Sequence, residues 1–294
     1  MWHRKVDVDN VMNQDRVEVI LLGTAQDGGV PQAGCLCHNC QVARTDLTQQ
    51  QFVTSLGLVD RTVGKSWLVD CTPDFGHQID VLAQFAPDCN LAGILITHAH
   101  IGHYLGLAQL GAEAMNSSLM PIYVSESMSE FLNSNAPWCQ LVKQHNIDIV
   151  TIETGGTTKL SPVISVEPVL VPHRKDFTDT FAFVISGQNN SLFYCPDIDD
   201  WDAWQYDLSE FVNKVDVALL DGTFYGDGEL PDRDMSAVSH PFVSDTLKRL
   251  GDAKCDVRFV HLNHTNPLLR KDCAHRMYKD YMAEVGSVGD VWSL

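Results

Sequence analysis

The sequence is short of several things that would each have placed it in a class. No apolar run approaches the ~20 residues needed to cross a bilayer. The opening stretch, MWHRKVDVDNVMNQDRVEV, has no apolar h-region and is not a secretory signal; residues 1–16 read as a short polar leader before the first strand. Basic residues are scarce, 20 Lys and Arg against 38 Asp and Glu, for a net charge of −18. Like-charge repulsion argues against nucleic acid as a partner, and no Lys/Arg-rich run offsets it. A disulfide framework is missing too. The nine cysteines are an odd number: Cys35, Cys37 and Cys40 crowd together and six others are scattered singly. With no export signal, a reducing cytoplasm and a metal site at the crowded three are the expectation. There is no GxSxG, and GTAQDGG lacks the Lys-Ser/Thr ending of a phosphate loop and does not match GxGxxG.

Enough apolar residues remain, 45%, to build a core. Short runs rich in Val, Ile and Leu predict strands at 17–23, 66–70, 92–97, 121–125, 148–152, 181–186, 191–195, 216–222 and 257–262. Helices are expected over 75–85, 106–116, 127–135 and 242–251, the last stopped by Gly251. Strands dominate both halves with helices between them. Stacked sheets with helices outside, in one continuous domain over 17–294, follow from that order.

The most informative stretch is AGILITHAHIGHYLGL. An apolar strand ends at Thr97, and His98, His100 and His103 follow within six positions. An extended backbone sends His98 and His100 to the same side. His103 comes one short turn later. Imidazole is a common ligand for zinc, iron and copper, so three at one strand end form a natural metal cup.

THAHIGH resembles the HxHxDH signature of the metallo-β-lactamase fold superfamily, and the likeness continues in order down the chain: His173 in LVPHRKD, Asp197 in SLFYCPD and His261 in RFVHLNH. It covers roughly residues 17–270 and implies an α/β fold, an αββα sandwich with its site at one edge of the sheets. By that resemblance His98, His100 and His173 would hold a first metal, and His103, Asp197 and His261 a second, Asp197 bridging. One position departs: the aspartate of HxHxDH is Gly102 here. That leaves two histidines and one carboxylate for the second site, a ligand type associated with non-haem Fe(II) chemistry. The active-site metal, one ion or two, is thus left open among zinc, manganese and iron.

CxCxxC lies in the Gly-rich loop after the first strand. Three thiolates this close are typical of structural zinc. His38 sits inside the cluster and is sterically awkward, so His264 is the expected fourth ligand. The loop resembles that of the pyrroloquinoline quinone biosynthesis protein B (PqqB) group and that of the cyclic phosphodiesterases of phosphonate utilisation. In the latter a histidine three residues after the last active-site ligand completes a zinc site, as His264 follows His261. HLNHTNP, VDCTPDF and RDMSAVSHP look like the PqqB group, although the histidine cluster is more complete here than in that group.

His240 in VSHP fits the position of an acid in the phosphodiesterase relatives, since its near-neutral pKa suits protonation of a leaving group. Asp221 and Asp70, at strand ends, suit roles that orient ligand histidines; Asp74 suits a helix cap. Trp201 and Trp204 fit either a pocket wall or packing. The expected activity is hydrolysis of a small phosphodiester, ester or amide by metal-activated water, with Asp197 and His240 as catalytic groups. A PqqB-like iron-dependent oxidase or hydroxylase, and a non-catalytic metal-dependent carrier, are the other readings. A small molecule is the expected partner, with at most a second copy of the chain, and neither nucleic acid nor a membrane.

Overall fold

The computed structural model describes residues 17–230, 234–235, 238–281 and 283–294. The leader expected over 1–16, and parts of the stretch 233–241, lie outside the described residues. Fourteen strands run in chain order: β1 (Val17–Gly23), β2 (Ser55–Asp60), β3 (Lys65–Val69), β4 (Asn90–Leu95), β5 (Met120–Val124), β6 (Ile147–Thr151), β7 (Thr158–Lys159), β8 (Ser165–Val171), β9 (Thr180–Ser186), β10 (Ser191–Cys195), β11 (Val217–Asp221), β12 (Asp256–Val260), β13 (Glu284–Val285) and β14 (Val291–Ser293). They form two mixed sheets, ordered β14-β1-β2-β3-β4-β5-β6 and β13-β12-β11-β10-β9-β8-β7.

Alternation along the strands builds the layers. Val19 and Leu21 of β1 join Leu58, Trp67 and Leu95 against Phe183, Tyr194 and Leu219 of the other sheet. Their neighbours Ile20 and Leu22 face outward onto Phe75 and Leu82 of the helix Phe75–Phe85. The second sheet does the same, with Phe193, Leu220 and Phe259 packed on Val243 and Leu247 of the helix Val243–Leu250. A side-chain period of two sends one set of apolar residues to each face, so strands with helices on one side and a sheet on the other read as continuous apolar runs. The result is the expected αββα sandwich.

Two strands escaped the pattern for local reasons. In β2, Gly57 interrupts the apolar run; a Cβ there would stand 2.7 Å from Leu82 Cδ1, so the glycine lets the outer helix close on the sheet. In β8, Pro168 pairs with Phe183 of β9, while on the other side β7 reaches only Ser165 and Val166. The missing N–H of Pro168 therefore faces no partner strand. The helix expected over 106–116 is a short turn, Ile101–Tyr104, followed by a 3₁₀ segment, Leu105–Leu110. Gly106 packs directly on backbone, where a Cβ would lie 2.2 Å from the Thr72 carbonyl oxygen, and its N–H donates to the Cys71 carbonyl at 2.9 Å.

Candidate metal centre

The ends of six strands supply the site. Asp70 follows β3, His98 β4, His173 β8, Asp197 β10 and His261 β12, while Asp221 closes β11. Convergence at carboxyl ends of parallel strands is where open α/β sheets put ligand sites. The two sheets are tied together here, since Phe181 N–H donates to the Thr97 carbonyl at 3.0 Å. Asp70, His240 and His261 all carry positive φ, 67°, 88° and 62°. Backbone of this kind costs energy in non-glycine residues and concentrates at functional sites.

Three imidazoles form a first nest. His100 Nδ1 lies 2.9 Å from His98 Nε2 and 3.1 Å from His173 Nε2. Nitrogens bound to one tetrahedral zinc ion stand about 3.3 Å apart, so the spacing suits a shared cation. A second nest lies alongside. Asp197 Oδ2 is 2.9 Å from His103 Nε2 and 3.2 Å from His261 Nε2. The same carboxylate reaches the first nest, with Oδ1 3.7 Å from His173 Nε2 and Oδ2 3.7 Å from His98 Nε2. Asp197 thus stands between the two nests, the place the sequence assigns it.

The tautomers are set from behind. His103 Nδ1 donates to Asp70 Oδ2 at 2.7 Å, and His173 Nδ1 to Asp199 Oδ1 at 2.7 Å. The Thr223 hydroxyl donates to Asp221 Oδ1 at 2.7 Å, which leaves its lone pair to accept from His261 Nδ1 at 2.9 Å. The Thr97 hydroxyl likewise gives its proton to Asp70 and accepts from His98 Nδ1 at 3.0 Å. With Nδ1 protonated in each ring, four Nε2 lone pairs point inward, as ligand histidines require. Asp199 and Thr223 were not singled out in the sequence.

The structure adds one carboxylate to the second nest. Asp27, in the loop after β1, places Oδ1 3.4 Å from His103 Nε2 and 3.6 Å from His261 Nε2. Asp27 Oδ1, His103 Nε2, Asp197 Oδ2 and His261 Nε2 are all buried and lack a hydrogen-bond partner. Unpaired buried polar atoms are costly, and here two acceptor oxygens and two imidazole lone pairs meet at one point, a donor set that fits a cation. The surroundings call for positive charge as well. Burial opposes charge on His103, yet Asp70, Asp197 and Asp27 hold its pKa well above the ordinary imidazole value. Burial likewise works against ionised Asp197, but His261, His103 and His173 keep its carboxyl well below the usual range.

His240 stands beside both nests. Its Nδ1 donates to Asp221 Oδ2 at 2.7 Å and lies 3.5 Å from Asp197 Oδ1. Burial disfavours its charge, but the charge and hydrogen bond of Asp221 prevail and push its pKa up to about 9.

The cysteine cluster assembles with the expected fourth member. His264 Nδ1 lies 3.3 Å from Cys35 Sγ and 3.5 Å from Cys37 Sγ, and Cys40 joins them in one possible ligand set. Cys35 Sγ accepts from Cys37 N at 3.3 Å, and Cys40 Sγ from Gln32 N at 3.3 Å. Asn39 fastens the two segments by donating to the carbonyls of His264 and Asn266, both at 3.0 Å.

A sequence model of the beta-lactamase superfamily domain matches residues 66–272. The chain belongs to the beta-lactamase superfamily. Among curated relatives, coenzyme PQQ synthesis protein B of Methylobacillus flagellatus is 27% identical over 89% of this chain and 94% of its own. Among solved structures, the zinc-bound PqqB of Methylobacterium extorquens superposes with a TM-score of 0.80 at 21% identity, covering 94% of this chain and all of that one. A diphosphatase of the PhnP family gives 0.70 at 19% identity, over 94% and 96%.

Within this superfamily chain the remaining sequence candidates resolve as scaffold. Asp74 precedes the helix Phe75–Phe85 but makes no cap bond; its Oδ2 accepts from Val53 N at 2.8 Å and pins the neighbouring loop. Trp201 and Trp204 are packing residues, buried under the second sheet, their indoles donating to Thr246 Oγ1 and the Leu170 carbonyl. Among the described residues no helix is long and apolar enough to cross a membrane.

Proposed function

We propose that the chain is a metal-dependent hydrolase of small phosphodiesters. The observation that carries this reading is Asp197 set between two imidazole nests with the His240–Asp221 pair beside it. His98, His100 and His173 would hold one ion and His103, His261 and Asp197 a neighbouring one, zinc and manganese being the expected metals. Bound there, a metal supplies a hydroxide near neutral pH and polarises the scissile group. Asp197 positions the nucleophile from its place between the nests. His240, its Nδ1 committed to Asp221, keeps Nε2 to give a proton to the leaving oxygen. Arg174 and Lys175 directly follow His173, and the charge of Arg174 adds to burial in disfavouring protonation of His100. Two bases at the rim of a site in a chain of net charge −18 favour an anionic substrate over a neutral ester or amide. A structural zinc at Cys35, Cys37, Cys40 and His264 completes the proposed metal content.

A second reading rests on the coenzyme PQQ synthesis protein B relatives, which match along nearly their whole length. It makes the chain an iron-dependent oxidase or hydroxylase of a small precursor. Anaerobic purification, metal analysis and two assays separate the readings. Hydrolysis of bis-p-nitrophenyl phosphate by the zinc- or manganese-loaded protein, abolished in His100→Ala, supports the first. One tightly held iron with oxygen consumption and no hydrolysis would sink it.

A further inference from the structure

The HxHxDH-like motif lacks its aspartate, and the space that side chain would need is filled from elsewhere. A Cβ on Gly102 would lie 2.2 Å from Asp27 Oδ1, 2.7 Å from Asp27 Cα and 2.8 Å from Asp27 Cγ. Backbone at that distance cannot step aside, so a side chain at 102 and Asp27 in its present place exclude each other. Asp27 is not a loose loop residue. Gln26 N–H donates to the Leu262 carbonyl at 2.9 Å, Leu262 N–H to the Thr24 carbonyl at 2.8 Å, and Gly29 N–H to the Gln26 carbonyl at 2.8 Å. Its carbonyl-linked neighbours thus bind the residue that follows His261, fixing Asp27 and His261 relative to each other. His103 and His261, at 0% and 1% exposure, aim unpartnered Nε2 atoms at the same spot as its unpartnered Oδ1.

We propose that Asp27 is a metal ligand of the second nest, with Gly102 its obligatory partner: the carboxylate has moved from the histidine motif to the first loop. The second site is then His103, His261, Asp197 and Asp27, a closed four-residue set for a divalent cation rather than a two-histidine, one-carboxylate one. This rests on metal use by the site, but not on which reaction it performs.

The test counts metal. Wild type, Asp27→Ala, Asp27→Asn, Gly102→Asp and the exchange variant Asp27→Gly/Gly102→Asp are dialysed to equilibrium against buffered free zinc and analysed for zinc per chain, with near-UV circular dichroism to check folding. Asp27→Ala and Asp27→Asn are expected to hold one zinc fewer than wild type at the same free zinc, or to bind it at least 10-fold more weakly. Gly102→Asp alone is expected to melt below the exchange variant, since only the exchange removes the clash, and the exchange is expected to regain the lost zinc. Wild-type zinc number and affinity in both Asp27 variants would overturn the proposal, as would a folded exchange variant that stays one zinc short. A wild type that fails to hydrolyse phosphodiesters would end the proposed reaction and leave these counts standing.

Discussion

Asp70 and His103 share a 2.7 Å hydrogen bond with both side chains fully buried. Asp70 also accepts from the Thr97 N–H and hydroxyl, each at 2.9 Å, so one carboxylate sets both His103 and the turn carrying His98. Its backbone adopts φ 67° to do so. Removing a partner that orients a ligand histidine typically costs 10- to 100-fold in metal affinity. Asp70→Asn is therefore expected to weaken zinc binding at the histidine nests by roughly that factor. Competition with a chromogenic chelator measures it, and unchanged affinity would remove Asp70 from the site's support.

The cysteine cluster makes a prediction about protons. Burial pushes the Cys40 thiol up to about 12, with Cys37 and Cys35 adding to the rise. At pH 7 it is protonated when no metal is present, whereas zinc takes only thiolate. Zinc uptake should therefore release protons, and its apparent affinity should rise between pH 6 and pH 8. Calorimetry in buffers of differing ionisation enthalpy reads the release directly. Cys37→Ser should lose one zinc and melt roughly 10 °C lower, as expected for loss of a folding-coupled metal. If metal content and melting both stayed at wild-type values, the structural-zinc assignment would fail.

Two glycines separate rigid from yielding contacts. At Gly23 a Cβ would meet the Val53 carbonyl oxygen at 1.9 Å, and at Gly57 the end of Leu82 at 2.7 Å. Backbone cannot yield where a leucine methyl can. Overpacking costs ~1–3 kcal/mol. Gly57→Ala should fall at the low end of that range and Gly23→Ala at or above its top, as read by urea denaturation. Equal losses would show that the Leu82 side chain has no room to turn.

The site was more legible than some of the fold that carries it. His98, His100, His103, His173, Asp197 and His261 could be read because each follows an apolar strand, and an ordered set of such endings is hard to produce by chance. The strands β2 and β8 were hidden by Gly57 and Pro168, whose roles depend on a helix and a strand edge that sequence does not display. Asp27 was hidden for a different reason. It sits in GTAQDGG, 75 positions before Gly102, and nothing in either segment alone says that the two occupy one space. Gly102 read as a missing ligand; the fold shows the volume already taken.

His240 offers a test that distinguishes a proton donor from a structural residue. Its hydrogen bond to Asp221 fixes Nδ1, so any proton it delivers leaves from Nε2. A group that protonates the leaving oxygen matters little when that oxygen is a stable anion and much when it is not. General acid catalysis contributes ~10²–10⁴-fold. His240→Gln should therefore lose on the order of 100-fold or more in kcat on a phosphodiester with a phenol leaving group. The loss should be far smaller with p-nitrophenol, and zinc content should be unchanged. Asp221→Asn should follow the same pattern, because an amide that donates to Nδ1 would select the tautomer with its proton on the wrong nitrogen for the Asp221-fixed geometry. Equal losses on the two esters, or a loss that tracks zinc content, would place His240 among the residues that support the metal nests and not at the leaving group.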